Sequence, residues 1–212
     1  MTCAICRTRR PRRFCPGVGG DICTICCGTE REVTVNCPLE CEYLQDARRH
    51  EKLADLDPAK VPNQDVRITE RFLTENEALV ASIGGVLYVA ALDTPGVVDF
   101  DIREALDGLI RTYRTLQSGV YYESRPNNPL AAAVFEAVQA HVAEFRKQEQ
   151  QNLGMSKTRD ADVLGVLVFF QRIEFDRNNG RRRGRAFVDA LRDFYVAGAG
   201  ESAPPESSLI LP

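Results

Sequence analysis

Downstream of about residue 70 the chain alternates between long apolar-periodic segments and short polar breaks, and the period is that of helices. Ile102, Leu106, Leu109, Tyr113, Leu116 and Val120 recur at intervals of four and three, laying one apolar stripe along a helix face. A segment before it, "EALVASIGGVLYVAAL", is opened by "TENE" (Thr74 to Glu77), which has the form of a capping box. Its apolar stretch of about a dozen residues is too short to span a bilayer. Gly84 and Gly85 within it suit close packing or a local kink. "DIRE" (Asp101 to Glu104) marks the start of the second helix, and "NNPLAAAVFEAVQAHVAEFRKQEQQN" gives a third, with Pro129 in its first turn. "DADVLGVLVFFQRIEFDRNNG" gives a fourth, stopped by Asn179 and Gly180, and "GRAFVDALRDFYVAG" a fifth. Short connections favour antiparallel packing, so the expected fold class is mainly α, with an all-α bundle of about five helices over residues 67–198. "LDPAKVPNQDV" (56–66) reads as a proline-bearing linker, 46–66 as helix and linker, and 199–212 as a flexible tail.

The N-terminal 45 residues break this pattern. All eight cysteines of the chain lie there, at Cys3, Cys6, Cys15, Cys23, Cys26, Cys27, Cys37 and Cys41. A buried core would scatter free cysteines as small apolar residues, so the clustering predicts a cysteine-dependent module at 1–45. The start "MTCAICRTRRPRRFC" lacks the apolar stretch of a secretory signal. That argues against a disulfide framework and for a cytoplasmic location. An iron–sulfur cluster needs only four thiolates, with cluster-specific spacing. Two C-x-x-C pairs and a C-x-x-x-C pair instead suit two closed tetrahedral Cys₄ sites, and the expected cofactor is zinc, two ions per chain.

Two pairings use all eight ligands. "REVTV" reads as a short strand, and Pro38 as a first-turn helix residue that sets Cys37 and Cys41 on one helical face. A treble-clef arrangement on these elements joins Cys23, Cys26, Cys37 and Cys41 on one ion, leaving Cys3, Cys6, Cys15 and Cys27 for the other. A cross-brace joins Cys3, Cys6, Cys23 and Cys26 on one ion and Cys15, Cys27, Cys37 and Cys41 on the other. The cross-brace is favoured because it interleaves and welds a segment with almost no apolar core; in either case the metal supplies the folding free energy. The order C-x-x-C, F-C-P, C-x-x-C, C-x-x-x-C, spanning Cys3 to Cys41, resembles the HIT and B-box zinc fingers. That resemblance implies a small cross-braced two-zinc module that binds proteins. The stretch "FCP…ICTICCG…R…CP..C.YL" also resembles the N-terminus of bacterial cysteine-rich proteins, which implies no activity.

Charge changes the reading of one motif. Arg7, Arg9, Arg10, Arg12 and Arg13 form a basic run inside the module, which could meet nucleic-acid phosphates. Residues 1–50 carry eight basic and six acidic side chains, a formal +2. Eight thiolates on two Zn²⁺ add −4, so the metallated module stands near −2, and the remaining residues near −5. The arginines are then expected to balance thiolate charge, hydrogen-bond sulfur or meet an acidic protein partner. "GRRRGR" (180–185) is a second basic run, at a helix–helix turn. Tyr121, Tyr122, Glu123 and Arg125 in "SGVYYESRP" are expected to end a helix, as packing or as an interaction patch.

Catalytic constellations are lacking. The two histidines are His50, in a charged helix, and His141, in the stripe Val134, Val138, His141, Val142, Phe145, where it suits a hydrogen-bonded core edge. There is no Glu-x-x-His pair, no phosphate-binding loop ("GVGG" at 17–20 reads as a turn) and no nucleophile with an evident base. Closed Cys₄ sites offer no position for substrate. The expected function is therefore non-enzymatic: a zinc module docking a protein partner, with the bundle as a second surface or homo-oligomer contact and no membrane partner. Nucleic-acid binding through 7–13 and 181–185, and thiol redox sensing through zinc ejection, are the alternatives.

Overall fold

The computed structural model describes residues 2–51 and 57–192. The chain opens with a hairpin of strands β1 (Arg13–Cys15) and β2 (Gly20–Ile22), paired antiparallel with Phe14 opposite Asp21. The "GVGG" turn joins them, with Gly19 in the left-handed region (φ 68°). Helix α1 (Thr24–Glu30) follows at once, its N-cap Cys23. The "CTICCG" stretch is thus helical from Thr24 on. "REVTV" forms no strand: it is a turn closed by an isolated bridge between Arg31 and Val35. Helix α2 (Glu42–His50) starts four residues later than Pro38 suggested, with Cys41 as N-cap and Cys37 ahead of the helix. Leu39, between those two cysteines, is buried in the bundle's core.

The remainder is mainly helical. A 3₁₀ turn (Pro58–Lys60) and short helix α3 (Glu70–Glu75) lead into α4 (Glu77–Asp93), α5 (Asp99–Gln117), α6 (Pro129–Leu153) and α7 (Asp160–Arg177). A last helix, α8, runs over 186–192 within the described residues. Helix α5 packs on both α6 and α7, and α4 on α6 and α7, so the stripe from Ile102 to Tyr113 is fully inside. Three boundaries differ from the pattern reading. Thr74 does not open α4; it lies inside α3, its hydroxyl donating to the Glu70 carbonyl, and Asn76 is the N-cap of α4. Helix α5 begins at Asp99, and Asp101 turns back to accept the Val98 N–H at 2.9 Å. Its C-terminus falls at Gln117, so Val120 leaves the stripe and is exposed. Gly84 and Gly85 are buried in an unbroken α4. The tail 199–212 and residues 52–56 lie outside the described residues.

The linker reading of 56–66 is only half the description over its described residues, 57–66. Arg172 donates to the carbonyls of Pro62, Asn63 and Val66, while Asn63 exchanges hydrogen bonds with Gln171 and Arg114. These side chains of α5 and α7 strap the segment to the bundle.

Two clusters of buried side chains divide the molecule, one built largely of cysteines with Ile22, Val35 and Leu44, the other from the bundle. A charged seam crosses between them. Glu32, in the loop after α1, is 1% exposed with φ 54°, a left-handed conformation uncommon for a non-glycine residue. Its Oε1 accepts from Arg48 Nη2 (2.6 Å) and the Arg185 N–H (3.0 Å), and its Oε2 accepts from Asn179 Nδ2 (2.9 Å). The Arg183 N–H donates to its carbonyl at 2.7 Å. Arg48 spans from Glu32 to Asp189 of α8 at 2.5 Å.

Asp99 fastens α8 from the other side, its carboxylate oxygens accepting the Phe187 and Val188 N–H groups at 3.0 and 3.2 Å. Burial outweighs these donors and pushes the Asp99 carboxyl up to about 7. The folded chain therefore holds a proton there that the unfolded chain releases from about pH 4. Asp99's contribution to stability is present in acid and lost as the pH rises to about 7. The stability difference between wild type and Asp99→Asn is expected to shrink over that range in urea melts; a pH-independent difference would contradict the assignment.

A second prediction concerns Gly108 of α5, where an added Cβ would sit 2.6 Å from the Ser124 carbonyl oxygen and 3.3 Å from the Phe135 ring. Backbone cannot swing aside as a flexible side chain can. Gly108→Ala is expected to destabilise by about 1–3 kcal/mol despite alanine's helix propensity, read from denaturant midpoints.

Candidate metal centre

The first cysteine cluster is assembled by three short turns. Cys3 and Cys6 flank a tight loop closed by the Arg7 N–H on the Cys3 carbonyl at 2.9 Å, with Arg7 at φ 55°. Cys23 caps α1 and Cys26 lies in that helix's first turn, so the two thiols of the C-x-x-C pair lie close together. The hairpin brings the pairs together: the Ala4 N–H donates to the Asp21 carbonyl, next to Ile22 and Cys23. The Sγ atoms of Cys3, Cys6, Cys23 and Cys26 all lie within 4.8 Å of one another. Four sulfurs about 2.3 Å from a tetrahedral zinc would stand roughly 3.8 Å apart, so the group fits such an ion with little adjustment. The Cys23 N–H points at Cys3 Sγ (3.3 Å) and the Cys26 N–H at Cys23 Sγ (3.4 Å), donors suited to thiolate sulfur.

Cys6 and Cys26 are shifted in opposite directions. Cys6 is pulled down to about 5, first by the Thr8 side chain and then by backbone donors at Arg9 and Thr8. Cys26 is pushed up to about 12, first by burial and then by the neighbouring cysteines. Adjacent thiolates repel, and a cation between them removes that opposition. One four-cysteine group is therefore able to hold a metal ion.

The other four cysteines gather at a separate place. Cys15, Cys27, Cys37 and Cys41 line one cavity together with Arg13, Arg31 and Tyr43. Cys15 ends β1, Cys27 lies in α1 one residue past Cys26, and Cys37 and Cys41 bracket the entry to α2. Among the described residues only the Cys3 group meets the tighter mutual distance. Burial pushes the Cys37 thiol up, and the charges of Glu32, Cys15 and Cys41 act in the same direction. All eight cysteines are free, with no disulfide among them. The grouping along the chain is interleaved: Cys23 sits with Cys3 and Cys6 and apart from Cys37 and Cys41, against the treble-clef pairing.

The arginines divide by environment. Arg9 interacts with the Cys23 thiol and with the charges of Cys6 and Cys26. Arg13 Nη1 and Arg31 Nη2 both reach Cys27 Sγ at 3.8 Å, and the Arg13 guanidinium stacks 3.9 Å over the Tyr43 ring. Arg7, Arg9, Arg10 and Arg12 are all exposed. In the second run Arg181 pairs with Glu51 and Glu32, and Arg185 donates to the Ala91 carbonyl, leaving Arg182 and Arg183 exposed.

The remaining sequence candidates are placed as follows. His141 Nε2 lies 2.5 Å from Ser82 Oγ, bridging α6 and α4 at the edge of the core, and His50 is exposed beside Asp46. Tyr121 and Tyr122 do not end a helix; they stand in the loop after α5, 71% and 64% exposed, with the Tyr121 hydroxyl donating to Glu123 and Arg125 paired to Glu136. Sequence reasoning missed Glu32, Asp99, Arg31 and the β1–β2 hairpin. Only the hairpin left a usable signal, a glycine-rich turn between two short runs. No helix among the described residues is long and apolar enough to cross a membrane. No family model, curated protein or solved structure matches the chain.

Cys26→Ser is expected to lower the bound metal by one ion per chain and to melt the hairpin and α1, followed by elemental analysis and amide exchange. Unchanged metal content in that variant would remove the Cys3 group as a ligand set.

Proposed function

We propose that residues 1–45 form a cross-braced module holding two zinc ions, and that the protein is a non-enzymatic interaction protein whose module docks a protein partner. The observation that carries the reading is the close group Cys3/Cys6/Cys23/Cys26, with the other four, Cys15, Cys27, Cys37 and Cys41, lining one cavity. A compact group of four sulfur donors favours zinc, and four protein ligands leave no open coordination position for chemistry. The resemblance to HIT and B-box fingers points the same way.

Docking is supported by what the module leaves outside. Phe14, Val18, Ile25 and Val33 are exposed on a segment that has few apolar side chains to spare. Phe14 is 60% exposed in β1 and Arg12, just ahead of that strand, is exposed too; aromatic residues and arginine are both enriched at protein interfaces. The nucleic-acid reading keeps the exposed Arg7, Arg10, Arg12, Arg182 and Arg183, while Arg13, Arg181 and Arg185 have partners within the chain and the exposed Arg9 is drawn toward the Cys23 thiol. That reduction favours protein.

The first test is elemental analysis of protein purified without added metal, with a free-thiol titration beside it. Two zinc ions per chain and no reactive thiol are expected; one ion, or iron, would overturn the double site. For the partner, binding that withstands high salt and is lost in Phe14→Ala with metal content unchanged fits docking. A DNA or RNA shift that weakens steeply with salt and vanishes when Arg7, Arg10 and Arg12 become alanine would replace that reading.

A further inference from the structure

The second cysteine group and the charged seam belong to the same pieces of chain. Cys27 and Cys37 bracket the loop that carries Glu32, and Cys41 is the N-cap of α2, which carries Arg48 two turns on. Leu39, between Cys37 and Cys41, is inserted in the bundle's core. Positioning those three cysteines therefore positions Glu32, Leu39 and Arg48 together. Glu32 in turn receives the Asn179 side chain and the Arg183 and Arg185 N–H groups, so the whole turn between α7 and α8 is folded around one carboxylate and one carbonyl. Arg48 adds the direct tie to Asp189 on α8. Phe187, Val188 and Leu191 of α8 are buried in the core behind this seam.

We propose that the Cys15/Cys27/Cys37/Cys41 site is a metal-controlled latch on α8: filling it closes Glu32 and Arg48 onto the α7–α8 turn, and emptying it loosens α8 from the bundle. The proposal rests on the two-site reading. Its physical basis is that a left-handed, buried glutamate is held only while its surroundings over-determine it. With Cys27 and Cys37 no longer tied to one ion, the Glu32 loop gains freedom and the carboxylate regains water. The seam then loses its centre, and the α8 seat of Phe187, Val188 and Leu191 opens to other apolar ligands. Two cysteines of this site, Cys27 and Cys41, are half-buried, against Cys6 alone in the other group. Linkage makes the effect reciprocal: weakening the seam at Glu32 must weaken metal held by these cysteines.

The test compares hydrogen exchange of the full chain for wild type, Cys37→Ser and Glu32→Gln, each with its zinc content measured. Cys37→Ser is expected to hold one ion, keep protection over residues 3–26, and exchange about tenfold faster at 186–192. Glu32→Gln is expected to hold two ions, show the same faster exchange at 186–192, and release one zinc to a chelator several-fold sooner than wild type. A wild-type chain with one ion overturns the two-site reading and the latch with it. Two ions in wild type with unchanged exchange at 186–192 in Cys37→Ser overturns the latch alone. Global loss of protection in Cys37→Ser moves the decision to Glu32→Gln, where unchanged exchange at 186–192 and unchanged zinc release overturn it.

Discussion

Sulfur crowding is the constraint from which the rest of the N-terminal half follows. Four Sγ atoms within 4.8 Å cannot all carry charge without something positive among them. The segment answers in part with its own groups, backbone N–H donors at Cys23 and Cys26 and the Arg9 guanidinium. The hairpin and the seven-residue α1 are too short to be stable alone. Among the described residues, the buried apolar side chains of the cysteine cluster apart from cysteine are Ile22, Val35 and Leu44. Such a segment needs cross-links, and the free, converging thiols are where a metal would provide them.

The bundle is held by ordinary means, and the contrast is instructive. Helix α5 contributes Ile102, Leu106 and Leu109 to a core that also takes in α4, α6, α7 and α8. Its polar groups serve ends and crossings. Asp99 receives the start of α8, and Asp101 turns back on its own N-terminus. Arg103 reaches Glu174 at 2.7 Å, with Glu174 1% exposed. The seam at Glu32 joins the two regimes, so that a residue of the cysteine-rich segment completes a turn near the far end of the described chain. A buried carboxylate that lost its cationic and amide partners would be strongly destabilising, so the seam specifies one arrangement of the two parts.

Local regularities were legible because their causes are local. The stripe Ile102–Tyr113, the Pro129 helix start with Asn128 as cap, and the core-edge placement of His141 all follow from spacing and propensity over a few residues. The short elements were not legible for the same reason. Residues 24–30 form a helix because Cys23 caps them and the fold gathers Cys26 and Cys27 on different sides, which no propensity of "TICCGTE" announces. "REVTV" has the composition of a strand but no partner beyond a single bridge, so tertiary context overrode propensity. Thr74 in α3 shows a capping signal displaced by two residues when a short helix intrudes.

By itself the sequence determined the chemistry in play and where the core would lie. Eight thiols in the first 45 residues set the ligand type, and apolar periodicity set which faces of the later helices turn inward. Tertiary structure alone decided which thiols meet, because both pairings satisfy the same spacings and only the hairpin's return brings Ala4 and Cys3 to Cys23. It also decided which arginines are spoken for. Arg9, Arg13 and Arg31 turn to sulfur, and Arg181 and Arg185 turn to Glu51 and Ala91, while Arg7, Arg10 and Arg12 face water. Glu32 is the extreme case: it meets Asn179 and Arg185 across 147 and 153 residues of chain, and nothing near it in sequence records that a single carboxylate will close the structure there.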